Sequence, residues 1–559
     1  MAGGLLNIIA QGNANIFLTG NPSKTFFRVT YSKYTNFGLQ KFRLDYNGVR
    51  DLRLTEPSTF IFKVPRYAEL LMDTYLGITL PDIWSPIYPP TADTGYLWSS
   101  YDFQWIRNIG TNMIREITIL CGSFVLAKYS GAYLAAMVER DFTGEKKKLF
   151  NHMSGNVQEL YSPADAYGRS NTYPSAYYDS SDGNTTNTAT GTEPSIRGRQ
   201  LYIPLNTWFG LDSKCAFPLI SLQYNELEIH VTLRPIQELF QVRDVFDYSN
   251  SFPYIQPDFN QARFQMYRFL QSPPATDTSV EGGNYTNFIS NWNADIHLIS
   301  TYAFLSKEEA KLFASQEQVY LVKEVFEYHY DNFSGSKTVP LTSNGMISSW
   351  MWFFQRNDVN LRNEWSNYTN WPYRNLPSDV LIAPQTSSKT FAQRPNLGPF
   401  LHPNGVNTGL FVTGNLSVDN QKEIMQTMAV LLDGKYRENT LTSPIYNYIE
   451  KYTRTSGFGT EGLYCYNFCL DTSPFTYQPS GAINLGKFKN VELEFMTFVP
   501  SVDPTRSVYQ VICGTNGQPI AVSKSNWQLY EYNYNLTLFE ERYNILSFIG
   551  GTCGMLYAR

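Results

Sequence analysis

The alternation of polar and apolar side chains is clearest near the middle of the chain and returns near its end. Residues 226–233 (ELEIHVTL) alternate with a period of two, and residues 491–498 (VELEFMTF) repeat the pattern. A period of two is that of a β-strand with one buried face, because successive side chains point to opposite faces of a sheet. The recurrence predicts two similar β domains in one chain.

A second pair of segments supports this duplication. Residues 119–122 (ILCG) and 431–434 (LLDG) each run a short apolar strand into a glycine turn. Each is followed by a helical stretch with aromatic side chains, at 129–137 and 443–452. The first half has a longer stretch after its marker, which we interpret as a long surface loop at 158–200, because it is polar and has little apolar periodicity.

These patterns predict an all-β chain with two tandem eight-stranded jelly rolls, short helices and long loops, in which paired sheets protect open strand edges. We divide the chain into an N-terminal arm (1–24), a first jelly roll (25–240), linker and surface loops (241–293) and a second jelly roll (294–559). Ser306 and Glu309 form a capping box that predicts a helix through Ala314. The predicted strands are 25–31, 59–64, 74–80, 113–120, 295–305, 318–328, 347–355, 410–416, 462–470, 490–498 and 527–537.

Composition agrees with sheets and turns. Charged residues make up 17% of the chain and aromatic residues 16%, with 37 Gly and 30 Pro, a mixture that favours strands and turns. The net charge of −5 gives no general attraction for nucleic acid, so we expect no sequence-specific nucleic-acid binding. Nine basic residues lie within residues 1–66, and we interpret them as solvated strand edges in preference to a docking surface for an acidic partner.

The number of cysteines and the lengths of apolar runs indicate the cellular compartment. Six cysteines in 559 residues predict buried thiols in a reducing compartment instead of a disulfide framework. The N-terminal residues lack the basic stretch of a signal peptide, and no run of apolar residues is long enough for a membrane helix. We therefore expect neither export by the usual route nor a membrane span.

No residue pattern predicts a catalytic, cofactor-binding or metal site. The five histidines (His152, His230, His297, His329 and His402) fit neither HExxH nor a zinc spacing. The Gly-rich residues 457–462 lack the order of a P-loop, so we predict turns and close backbone packing there. Glu226 with Glu228, and Glu492 with Glu494, could form a glycosidase dyad by spacing alone. Their matching places in both halves favour a structural or interface role, so a carbohydrate-active or lectin-like β-sandwich protein is the alternative function.

Sequons mark possible sites of N-glycosylation. The six asparagines are Asn184, Asn284, Asn332, Asn367, Asn415 and Asn535. Asn184 and Asn284 are favoured, because they lie in the longest predicted loops.

Further motifs are spread over the whole chain. They are LTGNP, FF and TNF between residues 18 and 37, LYIPLNTWF and PLISLQYNELEI between 201 and 229, and LLDGKYR, QPSGAINLGKFKN and YNILSFIGGTCGMLYAR in the second half. This combination resembles the major capsid proteins of the nucleocytoplasmic large DNA viruses, those of giant and algal viruses especially. The loops at 161–199 and 241–293 have no counterpart in that pattern.

The resemblance implies two successive jelly rolls and a homotrimer that forms a pseudo-hexameric capsomer, because three chains bring six similar β domains around one axis. It also implies neighbouring capsomers, minor capsid proteins and penton proteins as partners, with the N-terminal arm facing inward near an internal lipid membrane. We therefore predict a non-enzymatic major capsid protein without cofactors, assembled in the host cytoplasm into the icosahedral virion capsid of a large DNA virus.

Overall fold

The computed structural model describes residues 3–9, 12–48, 51–88, 99–100, 102–163, 166, 194–244, 254–273, 285–371, 422–499, 509–513, 519–524 and 532–557. Helices in these parts are short. They are α1 (Gly3–Ile9), α2 (Ile16–Thr19), α3 (Ile109–Met113), α4 (Gly131–Asp141), α5 (Gly144–Ser154), α6 (Gln158–Tyr161), α7 (Trp208–Leu211), α8 (Lys307–Ser315) and α9 (Glu450–Arg454), which continues a π-helical turn (Ile445–Ile449). The remaining helical turns, of 3-10 type, are Asn13–Asn15, Ser213–Cys215, Leu219–Ser221, Ile236–Glu238, Ala262–Phe264, Met266–Arg268, Val359–Leu361 and Leu485–Lys487.

Strands carry the fold. In chain order the first fourteen are β1 (Phe37–Leu44), β2 (Ser58–Val64), β3 (Leu70–Leu80), β4 (Ile87–Tyr88), β5 (Ser99–Ser100), β6 (Phe103–Trp105), β7 (Ile114–Cys121), β8 (Phe124–Tyr129), β9 (Arg199–Pro204), β10 (Phe217–Pro218), β11 (Leu227–Leu233), β12 (Phe240–Arg243), β13 (Tyr254–Ile255) and β14 (His297–Leu305). The others are β15 (Gln318–Phe333), β16 (Ser336–Leu341), β17 (Met346–Arg356), β18 (Met425–Leu432), β19 (Lys435–Tyr436), β20 (Leu441–Thr442), β21 (Leu463–Asn467), β22 (Ile483–Asn484), β23 (Val491–Thr497), β24 (Tyr509–Cys513), β25 (Pro519–Lys524), β26 (Tyr534–Ile549) and β27 (Thr552–Met555).

The two halves share one strand order. In the first half, one sheet runs β1-β14-β3 with β9 and β10 along the far side of β3, and the other runs β2-β11-β7-β8. In the second half the corresponding sheets run β15-β26-β17-β21 and β16-β23-β18-β19. In each half the last long strand lies between the first and the third, which is the antiparallel Greek-key order of a jelly roll. The predicted double jelly roll is confirmed.

The sequence repeats fall on equivalent strands. β11 and β23 each lie second in their sheet, and both alternate buried and less buried side chains along their length. β7 and β18, which end in the two glycine turns, lie beside them. Gly122 and Gly434 take the left-handed conformation at these turns, with φ of 61° and 75°. The duplication predicted from hydropathy is therefore a duplication of position in the sheets.

The structure corrects the predicted boundary between the halves. We placed residues 241–293 in a linker and the start of the second jelly roll at 294. Instead, β14 pairs with β1 (Phe37 opposite Leu305) and with β3 (His297 opposite Gly77), so it is an inner strand of the first half. Residues 241–293 thus run between two strands of the same jelly roll, and their described part includes β13, which pairs with β12. The helix α8 then leads to β15, and Ser306 caps it by accepting a hydrogen bond from the Glu309 backbone N–H, as predicted.

One predicted strand does not form. Residues 25–31 are exposed and outside any strand, although their Thr, Phe, Val and Tyr side chains favour strands. A strand needs a partner for its backbone hydrogen bonds, and within the described residues this segment pairs with none. The predicted strand at 410–416 and most of the loop at 158–200 lie outside the described residues.

The apolar core is not divided evenly between the halves. One continuous buried cluster fills the first jelly roll and extends into the second, where it includes Val322, Phe353, Phe539 and Phe548. A separate cluster fills the space between the two sheets of the second half, around Trp350 and Trp352. The first core therefore also joins the two jelly rolls.

Candidate functional site: the seam and the arm

Two regions are candidates for function. We call the contact between residues 37–305 and residues 318–555 the seam, and the described residues before β1 (3–9 and 12–36) the arm. The predicted arm ended at residue 24, but the first strand begins only at Phe37. The seam fixes how the two jelly rolls sit side by side. The arm exposes twelve large apolar side chains.

A buried ionic network crosses the seam. Arg140, near the end of α4, donates two hydrogen bonds to the Asp141 carboxylate, at 2.9 and 2.7 Å. It also donates to Glu541 Oε1 on β26 at 2.8 Å and to Ser349 Oγ on β17 at 3.0 Å. All three ionisable side chains are at most 2% exposed. Arg140 thus bonds to both central strands of the second jelly roll from a helix of the first.

Hydroxyl groups and a lysine complete the network. Tyr133 Oη and Ser349 Oγ each donate to Glu541 at 2.9 Å, and Thr472 Oγ1 donates to Asp141 at 2.6 Å. Lys323 Nζ lies 3.8 Å from Glu541, so two cations face two carboxylates. A buried ion pair is tolerated when its remaining hydrogen-bonding capacity is filled in this way.

The network shifts the pKa values of its carboxyl groups. Burial acts to raise the pKa of Glu541, but Arg140 and Lys323, with the hydrogen bonds from Ser349 and Tyr133, outweigh it and lower the pKa to about 2. Burial raises the pKa of Asp141 above its ordinary value, and Arg140 only partly offsets this effect. Glu541 is therefore the anion that Arg140 holds across the seam.

A second polar group lies further along the seam. Arg356 and Arg362 both bind Asp358, with N–O distances of 2.7 and 2.9 Å, and all three side chains are buried. Asn363, which follows Arg362, donates hydrogen bonds from its side-chain amide to the carbonyls of Gln237 and Phe240 in the first half, both at 2.8 Å. The turn after β17 is thereby tied to the connection between β11 and β12.

The Gly-rich residues 457–462 form a close backbone contact, as predicted, and the contact crosses the seam. Gly457 N–H donates to the Arg140 carbonyl at 2.8 Å, and Gly459 N–H donates to the Glu139 carbonyl at 2.6 Å. A side chain on residue 457 would lie 2.5 Å from the Arg140 carbonyl oxygen. Only glycine allows the second jelly roll to approach the end of α4 this closely.

The arm has the opposite character. Its described side chains are exposed throughout, including large apolar ones such as Phe17 at 93%, Phe26 at 89% and Phe27 at 99%. The others are Leu5, Leu6, Ile8, Ile9, Ile16, Leu18, Val29, Tyr31 and Tyr34. Many exposed apolar side chains within one short segment are typical of a contact site.

Most of the described basic residues near the N-terminus are engaged locally. Lys41 pairs with Asp73, Arg43 with Asp45 and Asp295, Arg53 with Glu56, and Lys63 with Glu226 and Glu228. Arg66 donates to the Asn225 carbonyl at 2.9 Å. These contacts agree with the interpretation as charged strand edges; Lys24, Arg28 and Lys33 lie on the exposed arm.

The predicted glycosylation sites differ in exposure. Asn332 is exposed at the end of β15, whereas Asn535 is half-buried within β26. Asn367 is only 3% exposed, and its amide donates to the Trp371 carbonyl at 2.8 Å, so the fold leaves it no room for a glycan. Asn184, Asn284 and Asn415 lie outside the described residues.

Where they are described, the candidate carboxylates and histidines lie in separate local contacts. Lys63 Nζ lies 3.4 Å from Glu226 and 3.6 Å from Glu228, and Glu228 also accepts a hydrogen bond from His230 Nε2 at 2.9 Å. Glu494 binds the Tyr436 hydroxyl on the outside of the second jelly roll. His230 lies on β11 and His329 on β15, while His297 is buried against the Asp295 carbonyl. His402 lies outside the described residues.

In the parts of the chain with described coordinates, no group of three or more His, Cys, Asp or Glu residues is arranged to bind a metal ion. No helix in those parts has the length and hydropathy needed to cross a bilayer. Five cysteines, Cys121, Cys215, Cys465, Cys469 and Cys553, are buried free thiols.

Two family models match the chain. A model described as the N-terminus of the major capsid protein covers residues 25–270, and one described as the large eukaryotic DNA virus major capsid protein covers residues 309–554. The major capsid protein of Chrysochromulina ericina virus is 26% identical in an alignment of 365 positions that covers 62% of this chain and 54% of that protein. The chain thus spans about half the length of that relative. The major capsid protein of Paramecium bursaria Chlorella virus 1 is 23% identical, with full coverage of both chains.

Solved structures share the fold at low sequence identity. The crystal structure of PBCV-1 VP54 aligns with a TM-score of 0.59 and 16% identity, over 96% of this chain and 100% of that chain. The Faustovirus major capsid protein aligns with a TM-score of 0.57 and 12% identity, over 97% and 96%. The likeness extends over both jelly rolls.

Proposed function

Because the chain belongs to the major capsid protein family of large eukaryotic DNA viruses, we propose that it is a non-enzymatic shell protein that trimerises into pseudo-hexameric capsomers. These capsomers tile the icosahedral virion capsid of a large DNA virus. The observation that carries the proposal is the identical strand order of the two fused jelly rolls. Three such chains present six similar sides, which fill a hexagonal lattice although the true symmetry is threefold.

The seam supports this function. A capsomer needs the two jelly rolls of each chain in one fixed relation, or the six sides would not be equivalent. The shared apolar core and the Arg140 network supply that rigidity, since neither part can shift without exposing buried charge.

We propose that the two structural units are residues 37–305 and 318–555, joined by α8. Their outer faces would contact neighbouring capsomers and penton proteins. The arm would face the capsid interior, where its apolar residues contact minor capsid proteins close to an internal lipid membrane. Assembly would take place in the host cytoplasm.

Size-exclusion chromatography with light scattering tests the trimer. We expect a stable species near three times the chain mass of 64.0 kDa. A chain that remains monomeric at all concentrations would contradict the proposal, and turnover of a glycan by that monomer would support the enzymatic alternative. Proteolytic removal of residues 1–20 tests the first part of the arm separately, because assembly that survives the cut would count against a role for those residues.

A further inference from the structure

Two buried cysteines meet across the seam. Cys121 is the last residue of β7 in the first jelly roll, and Cys553 lies in β27 of the second. Both are free thiols within the continuous apolar cluster, where their exposure is 0% and 4%. The two thiol groups are in hydrogen-bonding contact. Their sulfur atoms are therefore already neighbours, as the geometry of a disulfide requires.

The backbone brings β27 to this position through a glycine turn. Gly550 and Gly551 join β26 to β27 with left-handed φ values of 62° and 83°. The Gly551 carbonyl accepts hydrogen bonds from the backbone N–H groups of Gln223, at 2.8 Å, and Tyr224, at 3.3 Å, in the first jelly roll. A side chain on residue 551 would lie 2.9 Å from Gln223 Cβ. Backbone contacts thus hold β27 against the first jelly roll beside Cys121.

The surroundings of Cys121 favour its thiolate. The hydrogen bond from the Cys553 thiol lowers the pKa of Cys121, and burial opposes this effect. The Asn225 amide and the Arg66 guanidinium lower this pKa further, because both stabilise negative charge on the sulfur. The contact with Cys121, together with burial, raises the pKa of Cys553. Since the thiolate is the form that attacks a disulfide, Cys121 is the nucleophile of the closed pair.

We propose that Cys121 and Cys553 form a disulfide across the seam in an oxidising medium and remain thiols in a reducing compartment. The bond would join the two jelly rolls covalently, in addition to the Arg140 network. Both cysteines lie in motifs of the sequence, ILCG and YNILSFIGGTCGMLYAR, that have no chemical role in the proposed shell function. The proposal does not depend on the trimer, because both cysteines belong to one chain.

The reaction is a thiol–disulfide exchange with a small-molecule disulfide such as oxidised glutathione. β27 is short and pairs only with β26 among the described strands, so local opening of β27 exposes Cys553. The Cys553 thiolate then attacks the oxidant, forms a mixed disulfide and releases one thiolate. When β27 returns, the Cys121 thiolate attacks Cys553 Sγ and releases the second thiolate. The two cysteines lose two protons and two electrons, and the oxidant becomes two thiols.

Peptide mapping of the full native chain tests the proposal directly. The chain is equilibrated with reduced or with oxidised glutathione, its remaining thiols are alkylated in denaturant, and it is digested with trypsin without reduction. Cys121 and Cys553 fall in separate tryptic peptides, 116–128 and 543–559, and neither peptide has a second cysteine. With oxidised glutathione we expect the two peptides as one linked species in the mass spectrum, which dithiothreitol separates.

Thermal unfolding shows whether the bond stabilises the chain. The oxidised native chain should unfold about 5 °C above the reduced chain, because a disulfide restricts the unfolded state. Cys121→Ser and Cys553→Ser should each abolish this difference. Cys465→Ser is the matched control, in which the difference should remain: Cys465 is also a fully buried thiol, and its Sγ lies 3.9 Å from the Tyr446 carbonyl oxygen.

Three results would overturn the proposal. A folded chain in oxidised glutathione that yields no linked peptide would show that the two thiols are inert apolar groups of the core. Recovery of Cys121 and Cys553 only as separate glutathione adducts would show that the pair cannot close. An equal thermal shift in the native chain and both cysteine variants would show that another pair of cysteines is oxidised. Mapping uses the native chain, so it decides the question even where a variant does not fold.

Discussion

The seam and the arm distribute charged and apolar side chains in opposite ways. The seam buries Arg140, Asp141 and Glu541, while the arm exposes Phe17, Phe26 and Phe27 almost completely. Folded chains normally bury apolar groups and keep charges in water. The seam can depart from this rule because each charge is paired within the chain. The arm departs from it without such compensation from the described residues, which is why we propose a contact outside the chain for its apolar side chains.

The largest expected loss of stability follows from a substitution at the seam. Arg140→Met leaves two carboxylates buried without their main cation, and we expect the free energy of unfolding to fall by about 3–5 kcal/mol. Urea unfolding followed by circular dichroism measures the change. Arg53→Met is the control, because the Arg53–Glu56 pair is exposed and should be worth less than about 1 kcal/mol.

A triple variant tests the cause of that loss. Adding Asp141→Asn and Glu541→Gln to Arg140→Met removes the unpaired charges, and it should recover part of the lost stability. If the triple variant is as unstable as the single one, packing and not charge is what Arg140 contributes to the seam.

Acid is expected to lower the free energy of unfolding by about 3 kcal/mol, because lowering a pKa by one corresponds to about 1.4 kcal/mol. The pKa of Glu541 is about 2 in the folded protein against an ordinary value of 4.5. A lowered carboxyl pKa stabilises the folded state at pH values above the ordinary pKa, and this stability is lost as pH falls from about 4.5 to 2. Unfolding free energies measured across this range should decline, and Glu541→Gln should flatten the decline. An unchanged slope in that variant would show that other carboxyl groups cause the acid sensitivity.

The smallest effect on folding is expected in the arm. The double variant Phe26→Ser, Phe27→Ser removes two rings that are almost fully exposed. The free energy of unfolding should therefore change by less than about 0.5 kcal/mol. Particle assembly should fail in the same variant, as measured by electron microscopy of the expressed protein. A clear loss of chain stability would mean that the arm packs on its own jelly roll, and the contrast with the seam would disappear.

Local patterns predicted the repeated elements well and the long-range contacts poorly. β11 and β23 were recognisable because alternation is a property of a few consecutive residues. The assignment of β14 to the second half was wrong, because its hydropathy does not show which sheet it enters. The segment 25–31 has strand propensity but no partner strand among the described residues, so propensity alone misled.

The seam network was missed for a similar reason. Arg140 and Glu541 lie 401 positions apart, and no local spacing connects them. The only sequence signal was the charged triplet Glu139, Arg140 and Asp141, which ends α4 directly after its apolar residues. The sequence correctly predicted close packing at the Gly-rich residues 457–462. It did not show that their neighbour is the end of α4, because that contact depends on the fold.

The position of β14 in its sheet has a consequence for biosynthesis. Because β14 lies between β1 and β3, the first sheet keeps an open slot until residue 305 has left the ribosome. Domains generally fold as units during translation, and an unfilled slot exposes strand edges that can pair wrongly. A nascent chain of this protein therefore completes its first jelly roll only when more than half of its length has been synthesised.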